Sequence, residues 1–328
     1  MNQLPWEKIN RRIIIKKEET TSKEYGCKPE DRTIKDLLNN GVICMNKQQG
    51  PTSHNFVDMV KKVINTSKIG HGGTLDPNVF GVLPIALGDA TRITQALLPA
   101  GKEYVCLMHI HKDFNENQLK EIIKNMIGKI KQLPPVRSAV KRQIREKEIY
   151  YMEVIEIKGR DVLFKIGCQG GTYVRTICTS IGRQLKTGAH MQELVRTKAG
   201  PFSDKEMYNL HDLADAFELY NEGNDKELKI IIKPIEYSIQ HLSKIWISDN
   251  TVDSICHGAD LSIPGIVKLE TEIEKGNLIA ILSLKEELIG IGEAHKNSEE
   301  IESKDKGLAV KLKKVFYQRK VYPKFIRK

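Results

Sequence analysis

The sequence lacks several features, and each absence excludes a class of protein. No run approaches the roughly 20 consecutive apolar residues that span a membrane. The N-terminal MNQLPWEKINRRIIIKKEE has no apolar core like that of a secretory signal, so we expect a cytoplasmic protein. Six cysteines form no C-x-x-C pair, which argues against a disulfide framework and a zinc site. His109 and His111 stand two apart without a third ligand nearby, so we expect no metal there.

Acidic residues are the minority among the charged ones, 42 against 52 lysines and arginines, giving a net charge of +10. This balance alone favours a polyanionic partner only weakly. Two basic segments say more: VRSAVKRQIREK at 136–147, and KLKKVFYQRKVYPKFIRK at 311–328, which has four aromatics and no acid. Basic residues interleaved with aromatics are typical of nucleic-acid binding, through phosphate contact and base stacking. A solvated charged surface would give the same pattern.

The length of 328 residues is enough for two domains. The patterns predict an N-terminal extension at 1–37 that is ordered by packing elsewhere, and an α+β domain at 38–242. A small β-rich domain with a basic tail follows at 243–328. Before it lies a composition shift at 221–242, in which NEGNDKELK (221–229) is typical of an exposed linker.

Apolar spacing gives a local prediction for several segments. GVICMNK (41–47) is typical of a buried strand, and a helix capped by Ser53 follows it. A second, short helix is predicted to be capped by Asp89. EIYYMEVIEIKGRDVLFKIGC (148–168) predicts a β-hairpin.

One carboxylate stands in an unusual loop within GHGGTLDPNVFGVLPIALGDATR (70–92). Gly72 and Gly73 permit backbone conformations closed to other residues, and Pro77 stiffens the chain after Asp76. Such an aspartate can be a nucleophile, a general base or a structural cap.

Tyr104 and Arg175 are the other candidates for chemistry. An arginine on a strand near Asp76 would keep the acid ionised, whereas a surface ion pair and a core tyrosine are the structural alternatives. Sequence spacing alone does not bring the three residues together.

At this point the motifs resemble a known family. IGHGGTLDPNVFGVLPIALGDATR resembles the signature loop of the TruB-type pseudouridine synthases. PPVRSAVKRQIREKEIYYMEVIEIKGRDVLF, LLPAGKEYV, GTYVRT and GAHMQELVRTKAGPF are similar to its archaeal and eukaryotic, dyskerin-type branch, and DSICHGADLSIPGIVKL resembles a PUA domain. The resemblance covers about residues 38–325. It implies an α+β fold, in which helices flank a mixed, mainly antiparallel central sheet and a small C-terminal β-barrel follows.

The resemblance also implies residue roles. Asp76 would be the catalytic aspartate, Tyr104 would stack on the target base and assist proton transfer, and Arg175 would pair with Asp76. The residues implied to form the uridine pocket are His71, Gly72, Thr74 and Leu194. The residues implied to bind RNA, through a basic thumb loop and the PUA domain, are Lys47, Arg137, Lys141, Arg142, Arg145, Gly258, Ala259 and Leu261.

The implied activity is isomerisation of uridine to pseudouridine in rRNA or tRNA, guided by a box H/ACA RNA and without cofactor or metal. The implied partners are the guide, the substrate RNA, the small accessory proteins of the H/ACA particle and its kink-turn-binding protein, with no membrane involved. Two alternatives stay open, a stand-alone tRNA pseudouridine-55 synthase and a non-catalytic RNA-binding scaffold. Gln48 and Gln49 stand where the family often has prolines, so we expect a local change in loop stiffness.

Overall fold

The computed structural model describes residues 2–135 and 141–324, and these form two β-sheets. The larger sheet has ten strands, which are β2 Gly41–Lys47, β3 Ile69–His71, β4 Phe80–Leu87, β5 Lys102–Ile110, β6 Gly128–Gln132, β7 Arg145–Lys158, β8 Asp161–Cys168, β9 Ala189–Ala199, β10 Phe202–Ser203 and β11 Ile232–Pro234. The smaller sheet has seven, which are β1 Ile13–Ile15, β12 Ser243–Ile247, β13 Leu261–Ser262, β14 Ile266–Glu270, β15 Leu278–Leu282, β16 Leu288–Ala294 and β17 Leu308–Val315.

The larger sheet runs in the order β11-β2-β4-β9-β5-β8-β7-β6, with β3 on β4 and β10 on β9. Among its described strands only β4 and β9 pair in parallel, so the predicted mixed, mainly antiparallel fold is confirmed. Both β2 and β4 are almost wholly buried, because helices cover one face of this part of the sheet and residues of the smaller sheet pack on the other. The hairpin predicted at 148–168 is formed by β7 and β8, which turn at Gly159.

The described chain before β12 contains eight α-helices: α1 Pro5–Lys8, α2 Ile34–Asn40, α3 Ser53–Val63, α4 Thr94–Leu97, α5 Glu116–Asn125, α6 Val174–Gln184, α7 Leu210–Asn221 and α8 Lys226–Ile231.

The helix caps predicted at Ser53 and Asp89 are both wrong. The hydroxyl that caps α3 belongs to Thr52, which accepts from Asn55 N–H, whereas Ser53 is the first helical residue. Asp89 lies in a 3-10 turn at Gly88–Ile93 and pairs with Lys68 at 2.9 Å.

In NEGNDKELK (221–229), the segment predicted to be an exposed linker, every residue except Leu228 is exposed or half-buried. Residues 221–224 are exposed, but α8 buries Leu228 and Ile231 against the larger sheet. The chain then supplies β11, which pairs with β2. The apolar residues within this polar stretch therefore pack at the periphery of the core.

The smaller sheet runs in the order β1-β14-β12-β15-β16-β17-β13 and carries α9 Asp249–Cys256 and α10 Ser298–Ser303. Its first strand comes from the N-terminal segment, because Ile13, Ile14 and Ile15 pair with β14. Its core is rich in branched apolar residues such as Ile245, Ile279 and Val310. Within the described ranges no helix has both the length and the apolar character needed to cross a bilayer.

Candidate active site

Asp76 lies in the loop between β3 and β4, and side chains from three other elements hold the backbone of that loop. The first is Ser53 at the start of α3. Its hydroxyl accepts from Leu75 N–H at 2.7 Å and donates to Leu75 C=O at 2.9 Å. The Leu75 side chain is buried in the core, so the residue before Asp76 is held both by its backbone and by its side chain.

The second is Lys47 at the end of β2, and here the expected RNA contact is wrong. Lys47 is fully buried, and its ammonium donates to the carbonyl oxygens of Gln48 and Val79 at 2.9 Å and of Pro77 at 3.3 Å. Burial lowers the pKa of Lys47. The amine therefore ties the segment after Asp76 to β2 and is unavailable to a phosphate.

The third is Arg196 on β9, which the sequence analysis missed. Only 1% of Arg196 is exposed. Its guanidinium donates to Val82 C=O at 2.7 Å and to Gly73 C=O at 3.1 Å, and it lies near Tyr104. Burial lowers the pKa of Arg196. The sequence could have indicated this burial, because Arg196 lies two residues after Leu194 and therefore on the same face of the strand.

The glycines before Asp76 serve different purposes. Gly73 has φ +142°, a conformation that favours glycine. Gly72 needs no such conformation, but a Cβ there would lie 3.0 Å from Leu97, so it is limited by packing. Gly73 N–H donates to Nδ1 of His71 at 3.3 Å. Burial, with Arg196 nearby, lowers the pKa of His71, which suits a neutral ring that accepts this bond.

Asp76 forms an ion pair with Arg175, with Oδ2 facing Nη2. Arg175 lies in the first turn of α6 and not on a strand as expected. The Asp76 side chain is 50% exposed and that of Arg175 44%, so the pair is open to an incoming molecule. The structure therefore brings together two residues 99 positions apart in the chain.

Tyr104 on β5 and Leu194 on β9 are buried in the same core cluster as Leu75 and Val79, which lie close to Asp76 in the chain. Burial raises the pKa of Tyr104, which is therefore a neutral phenol at physiological pH. The shared cluster therefore links β5 and β9 to the two buried residues that flank the Asp76 loop. Thr74, also placed in the pocket by the sequence, is exposed in the same loop.

The basic thumb is only partly described. Arg137 lies outside the described residues, while Lys141, Arg142 and Arg145 are exposed at the start of or just before β7. None of these three is recorded in an ion pair with another described residue, so their charges are available to a polyanion.

The predicted RNA contacts of the small domain divide in two. Gly258, with φ +96°, and Ala259 are exposed after α9. The Leu261 side chain is fully buried in the core of the smaller sheet, so a contact of this residue with RNA would have to be made by its backbone. Side-chain alternation along β13 turns this residue inward.

His109 and His111 lie beside His190 of β9. Nε2 of His111 is 2.9 Å from Nδ1 of His190, and His109 bonds Asp161 at 2.6 Å. No group of three or more histidine, cysteine or acidic residues in the described chain is arranged to hold a metal ion. The cysteines of this part of the chain are all unpaired.

Comparison with protein families matches consecutive parts of the chain. Residues 61–174 match the TruB family pseudouridylate synthase (N terminal domain), and 175–240 match the tRNA pseudouridylate synthase B C-terminal domain. Residues 243–316 match the PUA domain, and 1–57 match the DKCLD (NUC011) domain.

Whole-length relatives agree with these matches. "Probable tRNA pseudouridine synthase B" of Methanopyrus kandleri is 49% identical over 98% of this chain and 95% of its own length, and the Pyrococcus horikoshii protein of that name is 50% identical over 96% of each. The solved "Cbf5-Nop10-Gar1 Complex" contains a chain 48% identical, with a TM-score of 0.93 over 98% of this chain and 99% of that one. The solved "H/ACA RNP bound to a substrate RNA containing 2'-deoxyuridine" contains a chain that is 46% identical, with a TM-score of 0.91 over 99% of this chain and 100% of that one. With an open carboxylate–arginine pair and relatives at 49% and 50% identity over almost the whole chain, this chain belongs to the TruB family of pseudouridylate synthases.

Proposed function

We propose that this chain isomerises uridine to pseudouridine in RNA that a box H/ACA guide selects, with Asp76 as the catalytic residue. The observation that carries the proposal is the open Asp76–Arg175 pair. Buried Ser53, Lys47 and Arg196 hold the Asp76 loop from three sides, which is the preorganisation that a catalytic group needs.

In the reaction the C1′–N1 bond of uridine breaks, the uracil rotates, and C5 forms a bond with C1′. The proton lost from C5 is balanced by the proton that N1 gains, so no water or redox partner is consumed. The Asp76 carboxylate either attacks the sugar or assists departure of the base, and Arg175 compensates its charge. The base must first leave its stack, at a cost of a few kcal/mol, and Tyr104 and Leu194 supply an apolar surface to receive it.

RNA binding is assigned to the exposed basic residues of the thumb and to the small domain. Lys141, Arg142 and Arg145 would close on the substrate backbone, and Gly258 and Ala259 would approach the 3′ end of the guide. Support comes from the solved structures named above, a Cbf5-Nop10-Gar1 complex and an H/ACA RNP bound to a substrate RNA. We propose that this chain takes equivalent accessory proteins, a kink-turn-binding protein and a guide, and acts in the cytoplasm.

A stand-alone activity on tRNA is the second candidate, because the relatives at 49% and 50% identity carry the name tRNA pseudouridine synthase B. The two activities differ in one requirement, since a guided enzyme modifies a target only when a complementary guide is present. A purified chain tested on unmodified tRNA without guide measures the second directly.

The decisive experiment combines the chain with a guide RNA, a matched target and the accessory proteins, and maps pseudouridine in the target. Asp76→Asn, which keeps the size of the side chain, should bind guide as wild type does but lose at least about 10³-fold in rate. Asp58→Asn, at an exposed position of α3, is the matched control and should leave the rate unchanged. Pseudouridine formation at the wild-type rate by Asp76→Asn would disprove the catalytic assignment.

A further inference from the structure

A groove lies at the edge of the smaller sheet, where none of the residues assigned to catalysis or RNA binding is found. Its volume is about 690 Å³. On one side it is lined by β1, and on the other by α10 and the loop at 271–274. A strand edge facing a helix across a groove is the arrangement in which an extended peptide adds to a sheet.

The backbone of β1 has an unpaired side toward this groove. Thr271 N–H donates to Arg12 C=O at 2.8 Å, and Lys16 N–H donates to Val267 C=O at 2.9 Å. The even-numbered residues therefore bond to β14. Alternation in an antiparallel ladder then directs the N–H and C=O groups of Ile13 and Ile15 to the free edge.

The side chains on this edge are unusually apolar for an exposed strand. Ile13 is 48% exposed and Ile15 63%, whereas Ile14 between them packs on the core. Exposed edge strands normally carry charges or proline that block pairing with another chain. Here Ile13 and Ile15 present two adjacent apolar contacts on one face of the strand.

The charge of the groove is opposite to that of the protein, whose net charge is +10. Four exposed glutamates line it, and none is recorded in an ion pair with any described residue; they are Glu272, Glu274, Glu299 and Glu302. Two cationic side chains of the described residues stand against these four: Arg12 in the lining, and Lys16, whose ammonium donates to the C=O of Glu302 at 2.8 Å at the end of α10. Such a surface repels phosphates and attracts lysine and arginine.

We propose that this groove binds an extended, lysine- or arginine-rich segment of a partner protein, which adds as a strand to β1. Backbone pairing with Ile13 and Ile15 provides the attachment. Alternate side chains of the segment pack on the two isoleucines, and the others place their charges beside the glutamates. The proposal is independent of the catalytic assignment, since it uses no residue of the Asp76 site.

The probe is a capped, fluorescent heptapeptide of alternating lysine and valine, titrated into the full chain at 0.15 M salt and followed by anisotropy. Saturable binding is expected, with protection of the Ile13 and Ile15 amides in hydrogen exchange. The same peptide with glutamate in place of lysine should bind at least tenfold more weakly.

Variants separate the contribution of backbone pairing from that of the glutamate charges. Ile15→Pro removes a free N–H without removing a ladder bond, which an edge strand tolerates, and should weaken binding at least tenfold. Glu272→Lys together with Glu302→Lys should do the same, whereas Glu121→Lys on exposed α5 is the matched control and should have no effect. Circular dichroism and guide binding verify that each variant is folded.

The proposal is overturned if the lysine peptide does not saturate, or if it binds the Ile15→Pro variant as well as wild type. Protection of Ile13 and Ile15 by RNA in place of peptide would assign the edge to RNA. Sedimentation showing a dimer that Ile15→Pro dissociates would assign it to a second copy of this chain, and either result would replace the basic peptide.

Discussion

Replacing Arg196 tests whether a buried cation holds the catalytic loop. Arg196→Met keeps most of the apolar stem and removes every donor. The carbonyl oxygens of Gly73 and Val82 lose charged partners at 3.1 and 2.7 Å, and Tyr104 loses its polar neighbour. Because Gly73 lies three residues before Asp76, the loop is released on the side that faces the core.

The magnitude follows from these bonds. Hydrogen bonds to a charged group contribute about 1.5–3 kcal/mol each, so two contribute about 3–6 kcal/mol. These contributions are already net of the cost of desolvating the donor. We therefore expect the free energy of unfolding to fall by about 3–6 kcal/mol. Misplacement of a reacting group by about 1 Å costs on the order of 10²-fold in rate, and this is the loss expected in kcat.

The assay is single-turnover pseudouridine formation with guide and target, together with urea unfolding of the free chain. Arg183→Met is the matched control, since Arg183 is exposed on α6 and carries the same charge. Guide affinity should be unchanged in both variants, because Arg196 is inaccessible to RNA. An Arg196→Met chain with wild-type kcat and wild-type stability would refute the reasoning.

Three further predictions concern the same loop. Ser53→Ala leaves the buried Leu75 backbone unpaired and should lower the free energy of unfolding in urea by about 1–3 kcal/mol. Thr52→Ser, which keeps the capping hydroxyl, should lower it far less, and equal losses in the two variants would contradict this. Gly73→Ala should lower the free energy of unfolding by about 1–3 kcal/mol because of the positive φ at this position. The added Cβ would meet no atom closer than 3.6 Å, so the loss comes from the backbone, and an unchanged stability in the same assay would show that the loop adapts. The pKa of His71 is lower in the folded chain than the ordinary 6.5, so the unfolded chain takes up the proton first and the free energy of unfolding should fall as pH drops below about 6.5. His71→Gln, whose amide oxygen can still accept from Gly73 N–H, should lose less stability between pH 7 and 5, and an identical pH profile would rule His71 out as the cause.

The fold class could be predicted from apolar spacing and motif resemblance. The position of a helix cap and the packing of the segment before the smaller sheet could not. The strand at Gly41–Lys47 is where its continuous apolar run placed it. The cap of α3 was misplaced by one residue, because Thr52 and Ser53 both carry hydroxyls and only the loop around Leu75 decides which one caps. The segment predicted to be an exposed linker, 221–229, is largely exposed but enters α8, which packs Leu228 on the core, and its polar composition did not indicate that helix.

The site residues divide in the same way. Asp76 and Arg175 were recognisable from motifs alone, yet their pairing over 99 positions depends on where α6 meets the loop. Lys47 was assigned to RNA binding by the family resemblance alone. Its actual partners are backbone carbonyls contributed by another segment, and no sequence pattern records which carbonyls meet a buried ammonium.

By itself the sequence determined which side chains are chemically able to act, because a carboxylate, a phenol and a guanidinium keep their chemistry in any context. It also determined the alternation that builds both sheets. Only the tertiary structure decided which cations are buried and which are open, since burial of Lys47 and Arg196 and exposure of Arg175 depend on contacts between distant strands and helices. The physical reason is that desolvation and hydrogen bonding belong to the surroundings of a group and not to the group itself.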